Sequence, residues 1–352
     1  MPDGLILRAG ARARRHLEEF GFRRDDFTSL IGASGGPKWL VLGAMDRVLH
    51  EHLLRDRQEP IHLLGSSIGA WRHACFAQAD PLAALDRFEE AYTAQVYETK
   101  PTAAEVAVES AKVLRALFGD SGQREILANP LIRTHVATVR SRTLVASESR
   151  VPLLLGLGGA ALVNAISRSG LAAFFERVIF HTGDPAFGFD GFATAHVPLR
   201  EESLGPAILA TGAVPMLIVG VRDIPGAAPG IYRDGGIVDY HFDFAFARPP
   251  GLALYPHFFE RIIPGWFDKA LTWRKPSAAD LDDVVQIAPS AEFVASLPFA
   301  RVPDRTDFQT MPTAQRLDVW RTVMDRAGAL ADELANLLAT NRLAERVRPF
   351  PS

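Results

Sequence analysis

Pro60-Ile61-His62-Leu63-Leu64-Gly65-Ser66-Ser67-Ile68-Gly69 is the stretch on which the fold turns. An apolar run behind a proline, Ile61–Leu64, reads as a short buried strand, and the residues from about Gly69 to Gln78 read as a helix. Between them lies Gly-x-Ser-x-Gly, centred on Ser67. A serine on so tight a strand-to-helix turn needs neighbours without side chains, here Gly65 and Gly69, and the turn lifts its hydroxyl above the sheet edge. The helix N-terminus behind it favours negative charge developing nearby. Taken alone, these five residues equally fit an ordinary turn whose serine caps the helix. The strand before them and the helix after them favour a nucleophile elbow.

The same pattern occurs once more upstream. Thr28–Ala33 reads as a strand, Pro37 opens the next segment, and Trp39, Leu40, Leu42, Met45 and Val48 follow at helical spacing. Two β–turn–α units in succession predict an α/β fold with a mainly parallel central sheet covered by helices. The first turn reads Gly32-Ala33-Ser34-Gly35-Gly36-Pro37-Lys38-Trp39. Consecutive glycines leave backbone N–H groups uncovered, fit to hold an oxyanion or a phosphate. The phosphate case fails on spacing: counted from Gly32, Pro37 stands where a P-loop needs glycine, and Trp39 where it needs Ser or Thr. No G-x-G-x-x-G is present either. Lys38 either lays its stem on the protein with its charge in water or supports the glycine loop and draws in an anion.

Further along, residues 5–20 read as an amphipathic opening helix and 80–118 as alanine-rich helix. Strands are expected at Thr134–Val139, Arg177–His181, Ala195–Leu199, Leu252–Tyr255 and Val284–Ile287. Glu201–Gly212 reads as a helix, 221–230 as a turn-rich loop, and Arg316–Leu338 as a long closing helix. No repeat or linker divides the chain, so a single domain over 1–352 is expected, with its motifs in 25–245 and late strands and the closing helix in 246–352.

Tyr232-Arg233-Asp234-Gly235-Gly236 places an aspartate in a glycine turn between apolar segments. Alone, Asp-Gly-Gly is usually no more than a turn. Together with the two upstream motifs it is a candidate general base. In their order, Gly35-Gly36-Pro37-Lys38, then Gly65-Ser66-Ser67-Ile68-Gly69, then Asp234-Gly235-Gly236, the motifs resemble the patatin-like acyl hydrolase family. Ala207-Ile208-Leu209-Ala210-Thr211-Gly212-Ala213-Val214-Pro215 is similar to that family's A-x-x-A-S-x-A-x-P segment. The resemblance implies a three-layer α/β/α sandwich and a Ser67–Asp234 dyad without histidine. It also implies an oxyanion hole from Gly35 and Gly36, helped by Ile68, with Gly65, Gly69, Lys38 and Gly235 in support. The implied activity is hydrolysis of an acyl ester or lipid, as in phospholipases, with no cofactor. Two departures stand out. Ser34 holds the loop's first glycine position, from where its backbone N–H can still serve, and Trp39 holds the last, where it is expected to narrow the loop.

Two other functions compete. A Ser–His–Asp esterase is available in chain order from Ser67, Asp234 or Asp239, and His241 or His257. A lipid-binding protein with weak turnover is the second. The apolar segment Val151–Ile166 is either a buried core helix or a lid and interfacial surface that makes transient membrane contact. Phe174, Phe175, Phe187, Phe189 and Phe192 after it read as core more readily than as a lipid cleft. The ten histidines show no metal-ligand spacing. A net charge of −3 over 352 residues argues against a nucleic-acid partner. No apolar run is long enough to span a bilayer and the opening residues show no leader pattern. With Cys75 the one cysteine, a cytoplasmic setting is expected.

Overall fold

The computed structural model describes residues 4–97, 101–189 and 192–351. The chain opens with β1 (Leu5–Ala9) and α1 (Ala11–Phe20). Next, β2 (Phe27–Gly32) leads through the glycine loop into a 3-10 helix at Gly36–Val41 and α2 (Gly43–Leu49), and β3 (Ile61–Ser66) leads into α3 (Ile68–Phe76). Helices α4 (Pro81–Thr93), α5 (Ala103–Phe118) and α6 (Gly122–Ala128) precede β4 (Ile132–Ser141). α7 (Arg150–Ile166) separates β4 from β5 (Phe175–His181). There follow β6 (Gly188–Phe189), β7 (Thr194–Pro198), α8 (Glu201–Thr211), β8 (Val221–Arg222) and β9 (Ile231–Asp234). The last third adds β10 (Phe246–Ala247), β11 (Leu252–Pro256), β12 (Val284–Pro289), α9 (Ala291–Ser296), α10 (Asp307–Thr310), α11 (Thr313–Ala339), α12 (Leu343–Arg346) and β13 (Arg348–Pro349).

The main sheet runs β13-β1-β12-β11-β2-β3-β4-β5-β7, with β9 also on β4 and β8 on β9. From β12 through β4 the neighbours are parallel, while β1, β5 and β9 join antiparallel. This is the expected α/β architecture with a mainly parallel, mixed central sheet. β2 and β3 are buried along nearly their whole length, as strands covered on both faces are. β11 lies directly beside β2, so the late strands complete the central sheet, and one apolar core runs from Leu5 to Val347.

Two expectations change. Residues 5–20 are not one helix: Leu5, Leu7 and Ala9 are buried in alternation with Ile6 and Arg8, and β1 pairs with β12. Apolar spacing across Gly10 mimicked a helical period, but α1 starts only at Ala11. The 80–118 helix is two helices; residues 98–100 within it lie outside the described residues. The segment Val151–Ile166 forms α7, with one side buried and the other exposed. Its inner side packs on a second, smaller core with Phe175 and Phe192, joined by Phe174; Phe187 and Phe189 pack with the main core. Among the described residues no helix is long and apolar enough to cross a membrane.

Candidate active site

Adjacent parallel strands bring the two glycine turns together. β2 and β3 are in register at Gly32 and Gly65, so the glycine loop and the Ser67 turn leave the same sheet edge side by side. Ser67 has φ 52° and ψ −129°, a strained conformation for a residue with a Cβ, of the kind found at functional turns. Its flanking glycines are required by space. A Cβ on Gly65 would sit 2.5 Å from the Ala70 nitrogen, and one on Gly69 would collide with the Gly32 carbonyl. That close approach presses α3, buried throughout, onto β2 and β3.

The Ser67 hydroxyl does not cap α3. It donates instead to Asp234 Oδ2 at 2.8 Å. β4 makes this meeting possible: Ala137 on β4 pairs with Ser66, and the next residue, Thr138, pairs with Asp234 at the end of β9. The 207–215 segment holds both partners. The Ser67 N–H donates to Thr211 Oγ1 at 2.8 Å, the Thr211 hydroxyl donates to the Ala137 carbonyl, and the Asp234 N–H donates to the Ala213 carbonyl at 3.1 Å. The Asp-Gly-Gly turn supplies a second donor to the base, since the Gly236 N–H reaches Asp234 Oδ1 at 2.7 Å. Ser67 and Asp234 are both buried, at 8% and 5% exposure. Burial pushes the Asp234 carboxyl up to about 6, against the opposing pull of the Gly236 and Ser67 hydrogen bonds and of the Lys269 and Arg305 charges.

In the glycine loop, Gly36 adopts φ 56°, open to glycine at little cost, and Gly35 packs against the Phe258 ring, where a Cβ would collide with Cζ. Among the described residues none accepts from the N–H groups of Gly35, Gly36 or Ile68. These are the donors expected from the sequence. Ser34 is different. Its N–H is taken by the Tyr240 carbonyl at 2.8 Å, and its hydroxyl donates to Ser66 Oγ at 2.9 Å. Ser34 therefore braces the loop against the elbow and does not offer its N–H. Trp39 does not narrow the loop either: it is buried in the core and stacks on Phe88 at 4.7 Å. Lys38 supports the loop through an ion pair with Asp304.

No histidine joins the pair. Ser67 bonds Asp234, while Asp239 is held bidentately by Arg177 at 2.7 and 2.8 Å. His241 and His257 are fully buried, 4.4 Å apart edge to face, and Ile263 N–H donates to His241 Nδ1 at 3.0 Å. Burial pushes both imidazoles far below the ordinary histidine range, so they stay neutral. Among the described residues no group of His, Cys, Asp or Glu is arranged to hold a metal ion.

Four residues near the pair were not found from the sequence. Thr211 occupies the serine position of the A-x-x-A-S-x-A-x-P segment, which was a signal for it. Lys269, Asp304 and Arg305 come from loops distant in sequence and carry no local pattern. Asp304 reaches Lys38, and Lys269 lies 4.1 Å over the Tyr240 ring, whose backbone holds Ser34.

Such a site can activate a hydroxyl nucleophile beside a buried carboxylate and offer backbone N–H groups to an oxyanion. No protein-family model matches the sequence, and no curated protein matches it. The fold and site thus define an α/β protein with a buried Ser–Asp pair at a strained strand-to-helix turn.

Proposed function

We propose that this chain is a serine ester hydrolase of the patatin-like kind, a lipid acyl hydrolase working through an acyl-enzyme on a three-layer α/β/α sandwich. The observation that carries it is the 2.8 Å hydrogen bond from the Ser67 hydroxyl to Asp234, made by a serine held at positive φ. Ser67 Oγ attacks the ester carbonyl while its proton passes to Asp234 Oδ2. The N–H groups of Gly35 and Gly36, with that of Ile68, hold the oxyanion of the tetrahedral intermediate. Its collapse expels the alcohol, which takes the proton back from Asp234. Water, deprotonated by Asp234, then attacks the acyl-serine, and collapse of the second tetrahedral intermediate breaks the acyl–Oγ bond, releasing the acid as Asp234 returns the proton to Ser67 Oγ. An aspartate raised to about 6 is still ionised at neutral pH and is a stronger base than a free one. The single cysteine, Cys75, is buried and free, in keeping with a cytoplasmic setting.

The test is hydrolysis of p-nitrophenyl esters of graded chain length by wild type, Ser67→Ala, Asp234→Asn and His241→Ala. The dyad requires that the first two variants lose activity and that His241→Ala, where folded, keeps wild-type order of magnitude. Loss of turnover in a folded His241 variant points to the triad instead. A folded wild type that is inert and unlabelled by a fluorophosphonate points to a lipid-binding protein.

A further inference from the structure

α7 is apolar on every side, yet only half of it is covered. Its inner residues Leu153, Leu157 and Ala160 pack with Val145, Ile237 and Val238. Ile237 and Val238 follow the Asp234 turn directly, so the helix lies on the segment that positions the base. Its outer residues Val151, Leu154, Leu155, Leu162 and Ile166 are all exposed, Leu162 at 73% and Ile166 at 88%. At helical spacing they fall within an arc of about 120°. A helix that is apolar all round needs a cover on each side.

The surroundings indicate what the cover is. Asn164 of α7 donates to Asp268 Oδ1 at 2.7 Å, which fixes the loop at 265–276 beside the end of the helix. That loop exposes Trp273 at 70%. Across 149–170 and 265–276 the one carboxylate is Asp268, which is buried, whereas Arg150, Lys269 and Lys275 are exposed. Arg168 and Arg274 of these stretches are paired with carboxylates, so on a chain of net charge −3 the exposed charges that the two stretches add beside the apolar stripe are basic ones. An exposed apolar stripe, an exposed tryptophan and flanking cations form the pattern of a helix lying in the headgroup layer of an anionic bilayer. At 17 residues, α7 is about 25 Å long and lies along such a surface.

We propose that the outer face of α7, together with Trp273, docks this protein on anionic lipid bilayers and presents the membrane to the Ser67 site. This rests on the lipid acyl hydrolase reading and names the surface that would deliver its substrate. Lys269 links the two: it neighbours Asp268 in the docking loop and lies over Tyr240 beside the glycine loop.

The experiment is flotation with vesicles of phosphatidylcholine alone and of equimolar phosphatidylcholine and phosphatidylglycerol. Wild type, Ser67→Ala and the double variant Leu155→Asp/Leu162→Asp are compared, with thermal melts to check folding. Both leucines are exposed, so the double variant is expected to melt near wild type. Wild type and Ser67→Ala should float with the anionic vesicles, less with the neutral ones, and the tryptophan emission, to which Trp273 contributes as one of five, should shift to the blue. The double variant should bind at least about tenfold more weakly. Equal binding by a folded double variant overturns the proposal. So does failure of wild type to float, including the case in which it sediments as a dimer that the double variant breaks. Flotation does not depend on turnover, so soluble-ester hydrolysis without vesicle binding sinks the docking face alone, and vesicle binding without hydrolysis sinks the catalytic reading alone.

Discussion

Replacing Asp234 with Asn separates the charge of the proposed base from its shape. In the fold its carboxyl titrates at about 6, against 3.8 for a free aspartate, because burial disfavours the carboxylate more than its hydrogen bonds from Gly236 and Ser67 favour it. The native protein therefore holds this proton more tightly than the unfolded chain. By linkage, that contribution to stability is fully present below 3.8 and is lost as pH rises through about 6. The gap corresponds to about 3 kcal/mol. Asparagine carries no charge at either end of this range and keeps an oxygen for the Gly236 N–H. The stability of Asp234→Asn relative to wild type should therefore grow by about 2 kcal/mol between roughly pH 4 and pH 7.5, part of the gap having already opened at pH 4. Ester hydrolysis should fall by about two to four powers of ten. Urea unfolding followed by tryptophan fluorescence at the two pH values measures the offset, and titration of other groups cancels in the comparison. An offset that stays constant across the range refutes the reasoning, because the buried carboxyl would then be an ordinary acid.

Thr211→Val removes the acceptor for the Ser67 N–H; leaving that donor buried should cost about 1–3 kcal/mol. It should lower kcat more than it changes KM, while Thr211→Ser keeps both near wild type; steady-state kinetics beside urea unfolding decide this. Gly69→Ala drives a Cβ into the Gly32 carbonyl and should cost about 3 kcal/mol or more, read as a drop in Tm or in soluble yield. His62, His135, His181 and His196 form a row across neighbouring strands, with His62 Nδ1 and His135 Nε2 3.0 Å apart, and burial pushes all four below the ordinary value. Their neutral forms belong to the fold, so their contribution to stability is present above 6.5 and lost as pH falls below it. Unfolding of wild type beside His135→Gln should show a flatter acid limb in the variant, and identical limbs would contradict this.

What could be read from the sequence follows the range of the forces involved. The elbow is encoded in five contiguous residues because its geometry excludes side chains at Gly65 and Gly69, so Ser67 was found with its strand and helix. Asp234 sits in a glycine turn that is ambiguous alone, and the motif order singled it out. That Thr138 on β4 would be the residue facing it is a matter of sheet register, which no local pattern carries. Leu5–Ala9 was misassigned because its apolar residues and those of α1 keep a helical spacing across Gly10, whereas pairing with β12 depends on residues some 280 positions away. For the same reason Asp304, Arg305 and Lys269 stayed hidden: their loops reach Lys38 and Tyr240 only through the folded core. Ser34 and Trp39 were placed in the right loop, but their directions depend on Tyr240 and Phe88, partners that the loop sequence does not name.

The most direct test of the Ser67–Asp234 pair is fluorophosphonate labelling of the purified protein, with peptide mapping by mass spectrometry. A single adduct on Ser67, absent in Ser67→Ala, slowed at least about a hundredfold in Asp234→Asn, and formed faster as pH rises through about 6, is the expected result. An adduct on another residue, or one on Ser67 that forms at the wild-type rate in a folded Asp234→Asn variant, would contradict it.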